Sequence, residues 1–243
     1  MKPDFLIFNG CSFTEGGGLS NPHILNLYGY DLSLDKEYHN IKKELAFSKL
    51  VAKHFNCDYV NLAVSANSNK NIFQKVFEYV EDNLDKLENY NNVYCFIQTT
   101  MSSRMSVHYK NEELNINTFE KNNNPYTKGE HYDDLQKWYE LYIVHFYDEK
   151  YEAKHTKSNM YLMREYLKSK NIKPYYIVFS DVELLKILKE TDYIKFGGES
   201  ELMQFAYKNK LRISDEVDNK DGHFSPNGHI EISKILIKKI END

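Results

Sequence analysis

Two short stretches at opposite ends of the chain hold the residue types that acyl-transfer chemistry needs. Near the start, Phe5-Leu6-Ile7-Phe8 runs into Asn9-Gly10-Cys11-Ser12-Phe13-Thr14, which sets a thiol and a hydroxyl side by side just past an apolar run. Near the end, Asp221-Gly222-His223 opens a polar loop, residues 221–229, ahead of an apolar-periodic segment. A serine hydroxyl is a poor nucleophile at neutral pH. It becomes a good one when an imidazole takes its proton and a carboxylate fixes the tautomer of that imidazole and stabilises its charge. Ser12, His223 and Asp221 form one candidate set for these three roles. Simpler roles exist for the same residues: a helix N-cap for Ser12 and a plain turn for Asp221-Gly222. Cys11 is a second candidate nucleophile, although the strand-to-turn geometry should point its side chain away from that of Ser12 and into the core.

The two stretches can meet only if the elements between them form a sheet whose strand ends share an edge. The pattern supports this. Residues 4–10 read as a strand, and residues 15–42, punctuated by Gly16-Gly17-Gly18 and Asn21-Pro22, as a long loop over its end. Residues 43–56 have the spacing of an amphipathic helix, residues 57–63 read as a strand, and residues 69–87 as a helix with Ile72, Val76, Phe77, Val80 and Leu84 on one face. The continuous apolar run Val93–Gln98 is typical of a strand buried on both faces. Residues 105–130 are polar and read as a hairpin or loop insertion. Residues 131–170 are helical in pattern, with a break expected near Lys154–Ser158, and Pro174–Phe179 is a further strand. Residues 211–217 are expected to hold a short last strand or edge segment, and residues 230–240 the closing helix.

This alternation predicts an α/β fold: a three-layer α/β/α sandwich with a mainly parallel, flavodoxin-like sheet, formed by residues 1–243 as one domain. In such sheets ligands gather at the carboxyl ends of the strands, where Ser12 and the 221–229 loop would both lie.

Composition narrows the function classes. The chain has 243 residues, is 41% hydrophobic and carries a formal net charge of −5, so it is globular and lacks the basic surface that nucleic-acid binding needs. Its basic residues form no long run. No apolar run reaches membrane-spanning length, and Asp4 interrupts the N-terminal apolar segment too early for a signal peptide. A cytoplasmic protein is therefore expected, or a virion-associated one if the gene is a phage's. The three cysteines are far apart and make no metal or redox motif. His223 and His229 lack a third ligand at metal spacing, and Gly16-Gly17-Gly18 lacks the Lys-Ser/Thr of a phosphate loop. No cofactor and no metal are expected. The 20 tyrosines suit stacking on sugars, although codon bias in an A/T-rich genome explains them as well.

Taken together, the Asn9–Thr14 turn, the Asn61-Leu62-Ala63-Val64-Ser65-Ala66-Asn67-Ser68 stretch and Asp221-Gly222-His223 resemble the first, second and last blocks of the SGNH (GDSL-like) hydrolases. The resemblance implies a serine esterase that acts on a small-molecule or carbohydrate ester, such as an O-acetyl group. Ser12 would be its nucleophile, His223 its base and Asp221 the acid that orients the base. The backbone N–H groups of Ser12 and Ala66 would line the oxyanion hole. Two departures stand out. Ala66 replaces the usual glycine, which a backbone donor tolerates if its φ is negative. The third block, Gly-x-Asn-Asp, is absent, and Thr99-Thr100-Met101-Ser102-Ser103-Arg104 stands in its place. Asn67, Asn69, Ser102 and Arg104 are the candidates to replace the missing donor, and Arg104 could instead hold a substrate carboxylate. The rival readings are a non-catalytic binding or structural protein that keeps the fold, as in a phage or mobile-element component, and an acyltransferase that uses the same triad.

Overall fold

A computed structural model describes residues 2–19, 21, 24, 27, 44–109, 112–116, 132–217 and 220–243. Its centre is a parallel sheet in the order β2-β1-β3-β6, built from β1 (Phe5–Asn9), β2 (Asp58–Asn61), β3 (Val93–Thr99) and β6 (Ile172–Val178). All seven residues of β3 are buried, as its unbroken apolar run requires. Pro174, which has no N–H to give a ladder, lies in the edge strand β6. The antiparallel hairpin of β4 (Met105–Tyr109) and β5 (Glu112–Ile116) stands apart from this sheet. Residues 110–111 and 117–130, the remainder of the expected insertion, lie outside the described residues.

Alternate strand positions feed opposite faces of the sheet, and each face carries a core. Leu6, Phe8, Tyr94, Phe96 and Ile177 pack with helix α2 (Phe47–Phe55) and the closing helix α10 (Pro226–Glu241). Phe5, Ile7, Cys95, Ile97 and Val178 pack with α3 (Asn69–Asp82) and α6 (Glu149–Ser169). The result is helix, sheet, helix in three layers. The chain steps from β1 to β2 on one side, then crosses to β3 on the other, so β1 and β3 flank the switch point of the sheet, where α/β proteins place their ligands.

The helix ends follow local chemistry. Ser68 caps α3 by accepting from Asn71 N, and α10 starts with Ser225 as cap and Pro226 in its first turn. Three expectations shift. The 131–170 helical region breaks between α5 (Tyr132–His145) and α6, not at Lys154–Ser158, because Asp148 accepts from the N–H groups of Lys150 and Tyr151 and starts a new helix there. The segment 211–217 is no strand: it holds the helical turn α9 (Ile213–Glu216) and a single bridge between Arg212 and Phe224. The closing helix begins at Pro226, so His229 belongs to its first turns and is fully buried. The remaining helices are the turns α1 (Ser12–Glu15), α4 (Leu84–Leu87), α7 (Val182–Ile187) and α8 (Leu202–Lys208). No described helix is long and apolar enough to cross a membrane.

Candidate active site

Strand β1 ends in a turn with no room for a side chain at Gly10, where a Cβ would sit 2.5 Å from Thr14 Oγ1 and 2.9 Å from Gln98 Cβ. That close approach lets the chain fold at once into α1. Thr14 N and Glu15 N both donate to Cys11 O, and Gly16 ends the turn with φ 90°. Ser12 is the first residue of this turn. Cys11 points into the core, where its sulfur accepts from Gln98 Nε2 at 3.1 Å.

The loop before α10 comes to meet Ser12. It is pinned from below by Ile213 N to His223 O (2.8 Å), Ser214 N to Asp221 O (2.9 Å) and Ser225 N to Leu211 O (2.9 Å). His223 Nε2 lies 2.9 Å from Ser12 Oγ, although the two residues are 211 positions apart. The other ring nitrogen, Nδ1, lies 2.6 Å from Asp221 Oδ1, which also accepts from His223 N at 2.9 Å. A proton on Nδ1 satisfies the carboxylate and leaves Nε2 free to accept from the serine hydroxyl. The bond from the His223 ring holds the Asp221 carboxyl below the usual carboxylate range, against its partial burial; the His223 backbone N–H and the Asn21 side chain reinforce this. The imidazole is held by packing as well. Phe13 lies against it with ring centroids 4.7 Å apart, and Phe13 is itself packed on Phe179 and Phe224. On another side a Cβ at Gly17 would lie 2.9 Å from both Cδ2 and Nε2 of His223. The glycine run therefore buttresses the ring.

The candidates for the oxyanion site are placed as follows. Val64, Ser65, Ala66 and Asn67 form a turn closed by Asn67 N to Val64 O, and Ser65 Oγ ties it to Glu15 of α1 at 2.7 Å. Ala66 has φ 60°, not the negative value expected for a tolerated alanine. It occupies the left-handed conformation that glycine adopts freely, at a cost of about 1 kcal/mol for a residue with a Cβ. Asn67 is fully buried; its Nδ2 donates to Gly10 O (3.3 Å) and its Oδ1 accepts from Asn71 Nδ2 (2.6 Å). Asn69 donates to Thr100 O and to Thr156 Oγ1 and accepts from Thr100 N at 2.7 Å, which commits both hydrogens of its amide to the protein. Ser102 Oγ bonds the buried Asp181, whose carboxyl is pushed up by desolvation. These three polar side chains brace the strand ends. Arg104 differs: its Nε and Nη1 are buried without a hydrogen-bond partner.

His229, three residues after Pro226, is a core residue. Its Nδ1 accepts from Phe47 N at 3.2 Å, so the proton resides on the buried Nε2. Burial pushes its pKa down to about 3. Among the described residues no group of three His, Cys, Asp or Glu side chains is placed to hold a metal.

The site thus sets a hydroxyl, an imidazole and a carboxylate in hydrogen-bond contact at the switch point of a parallel α/β sheet. No family model matches the sequence, and no curated protein matches it. Solved structures resemble it along nearly its whole length. A catalytic mutant of the acetylxylan esterase Axe2 from Geobacillus stearothermophilus is 12% identical, covers 98% of this chain and 94% of its own, and has a TM-score of 0.49. The psychrotrophic esterase EstA from Pseudoalteromonas sp., inhibited by monoethylphosphonate, is 10% identical, with 99% and 100% covered and a TM-score of 0.47. A carbohydrate esterase is 16% identical, with 98% of this chain and 68% of its own covered and a TM-score of 0.48.

Proposed function

We propose that this chain is a serine esterase of the SGNH type, with Ser12 as nucleophile, His223 as base and Asp221 as the carboxylate that orients the base. One observation carries the reading: the unbroken chain of hydrogen bonds from Ser12 Oγ through the His223 ring to Asp221, at 2.9 Å and 2.6 Å. Packing of Phe13 and Gly17 against the ring supports it, since a base that must pass a proton between two positions needs a fixed ring.

In this mechanism Ser12 Oγ attacks the acyl carbon while its proton moves to His223 Nε2. The negative charge that develops on the carbonyl oxygen is met by backbone N–H groups of Ser12 and Ala66. Collapse breaks the ester bond, and the imidazolium gives its proton to the departing alkoxide. Water then attacks the acyl-enzyme with His223 again as base, releasing the acid and restoring the serine. The side-chain donor of the absent third block has no replacement among Asn67, Asn69 and Ser102, whose polar atoms bond the protein. Loss of one such donor lowers kcat by about two to three orders of magnitude, so a slow enzyme is expected. An O-acetylated carbohydrate is the substrate class to test first; it follows from the resemblance of the sequence blocks.

The test is release of p-nitrophenol from p-nitrophenyl acetate by wild type and by Ser12→Ala, both shown folded by circular dichroism. Turnover that disappears in the variant supports the proposal. A folded wild type that does no better than Ser12→Ala leaves the non-catalytic reading. Faster acyl loss when an alcohol is added, with the new ester as product, identifies a transferase.

A further inference from the structure

We propose that a cavity at the carboxyl end of β3, beside the Ser12 site, binds an oxyanionic substituent of the substrate, a carboxylate in the first instance. The word substrate rests on the esterase reading above; the anion site does not.

The cavity has a volume of about 230 Å³ and is lined by Ser68, Lys70, Arg104, Glu152, His155 and Asn159, among others. Arg104 is the reason to assign it a ligand. A guanidinium stays charged at any pH a protein meets, and a buried N–H with no acceptor is costly. Two of the three Arg104 nitrogens are buried without a partner, although Glu152 lies in the same lining. Glu152 Oε1 accepts from the hydroxyl of Tyr142, another residue of the lining, at 3.2 Å. Lys70 adds a second, exposed cation. Ser68, Asn69 and Lys70 are the cap and first residues of the 14-residue helix α3, whose N-terminal end attracts negative charge. The formal charges of the lining sum to net positive, and among the described residues none accepts from Arg104 Nε or Nη1.

Register places this cavity at the same edge of the sheet as the nucleophile. Asn9 lies opposite Ile97, so β1 ends two residues before β3, and the Gly10–Ser12 turn sits beside Gln98 and Thr99, about one strand spacing of 4.8 Å away. The bond from Gln98 Nε2 to Cys11 Sγ holds the two exits together, and Asn69 in the cavity wall grips Thr100 through its N–H and its carbonyl. An ester whose acyl group reaches Ser12 can therefore set a charged substituent of its alcohol part against Arg104. Acidic sugar esters have this layout and neutral ones do not.

The binding half is tested without turnover. Calorimetry and thermal shift with glucuronate, glucose and inorganic phosphate are run on wild type, Ser12→Ala, Arg104→Gln and Lys70→Gln. The expected result is binding of glucuronate or phosphate but not glucose, retained in Ser12→Ala, weakened at least tenfold in Arg104→Gln and severalfold in Lys70→Gln. Lys70 is exposed, so that variant tests the site even if Arg104→Gln fails to fold. Equal affinity for glucose and glucuronate, or anion binding untouched by both substitutions, overturns the site. Phosphate bound much more tightly than glucuronate keeps the anion site and overturns the carboxylate. The substrate half compares 4-acetoxybenzoate with phenyl acetate: Arg104→Gln should lower the ratio of kcat/KM for the charged ester to that for the neutral one at least tenfold. An equal loss on both overturns the link to the substrate. An inactive wild type that still binds anions leaves the site standing and removes the esterase reading instead.

Discussion

Replacing His229 by asparagine should make the protein less sensitive to acid. In the folded chain the ring lies between Phe47 and Phe224, fully buried, with Nδ1 accepting from Phe47 N. Burial, and to a lesser degree the nearby His223, lower its pKa from 6.5 to about 3. Unfolded, the imidazole takes up a proton below about pH 6.5, while the folded one does not until about pH 3. Between these values the unfolded state binds more protons, so stability rises with pH and is lost as pH falls below about 6.5. At pH 5 the loss is 1.5 pH units at about 1.36 kcal/mol each, or about 2 kcal/mol. In a chain of this length that is a fall of about 5 °C in Tm. Asparagine keeps an acceptor for Phe47 N and does not titrate. It should be less stable than wild type at pH 7.5, because a buried ring is truncated, and that deficit should shrink by about 2 kcal/mol at pH 5. Urea unfolding of both proteins at pH 7.5 and pH 5 reads this directly, since carboxylates common to both cancel in the difference. A stability gap between wild type and His229→Asn that is the same at both pH values refutes the reasoning.

Two further substitutions probe the frame of the site. Gly17→Ala puts a Cβ 2.9 Å from His223 Cδ2, His223 Nε2 and Ser12 O, so the ring must move; esterase kcat should fall by about two orders of magnitude with the protein still folded, read by parallel turnover and thermal melts. Ala66→Gly relieves a left-handed backbone at φ 60°; the relief of about 1 kcal/mol is set against the added freedom of the unfolded chain, about 0.4 to 1 kcal/mol. Urea unfolding should show this variant as neutral to slightly more stable, where an alanine in ordinary helical or extended backbone would lose stability on the same change.

The sequence made the β1 exit legible because a hydrophobic strand followed by Asn-Gly-Cys-Ser admits few geometries, and the Phe5–Asn9 strand and the turn at Ser12 stand where that pattern puts them. The unbroken apolar run of β3 marked a central strand for the same reason. Less was legible where a choice depends on distant partners. A histidine three residues after Pro226 looks like a surface residue until α2 is packed over it and Phe47 N finds it as an acceptor. The backbone sign at Ala66 depends on the turn between β2 and α3 and on the grip of Glu15 on Ser65. Asn67 and Asn69 carry the right chemistry to bind a substrate oxygen, and only their three-dimensional partners show that their amides stitch Gly10, Asn71 and Thr100 together. The break at 146–148 was hidden because a single aspartate, Asp148, decides it. The missing partner of Arg104 Nε and Nη1 has no sequence signature at all, since it depends on which side chains the fold brings to the end of β3.

Activation of Ser12 by His223 is read by covalent labelling. Native protein is treated with a fluorophosphonate, digested, and mapped by mass spectrometry. One adduct is expected, on the peptide containing Cys11 and Ser12 and localised to Ser12 Oγ, with labelling absent in Ser12→Ala and strongly slowed in His223→Ala. In a folded protein, no label at Ser12, or labelling equally fast without His223, shows that His223 does not activate Ser12.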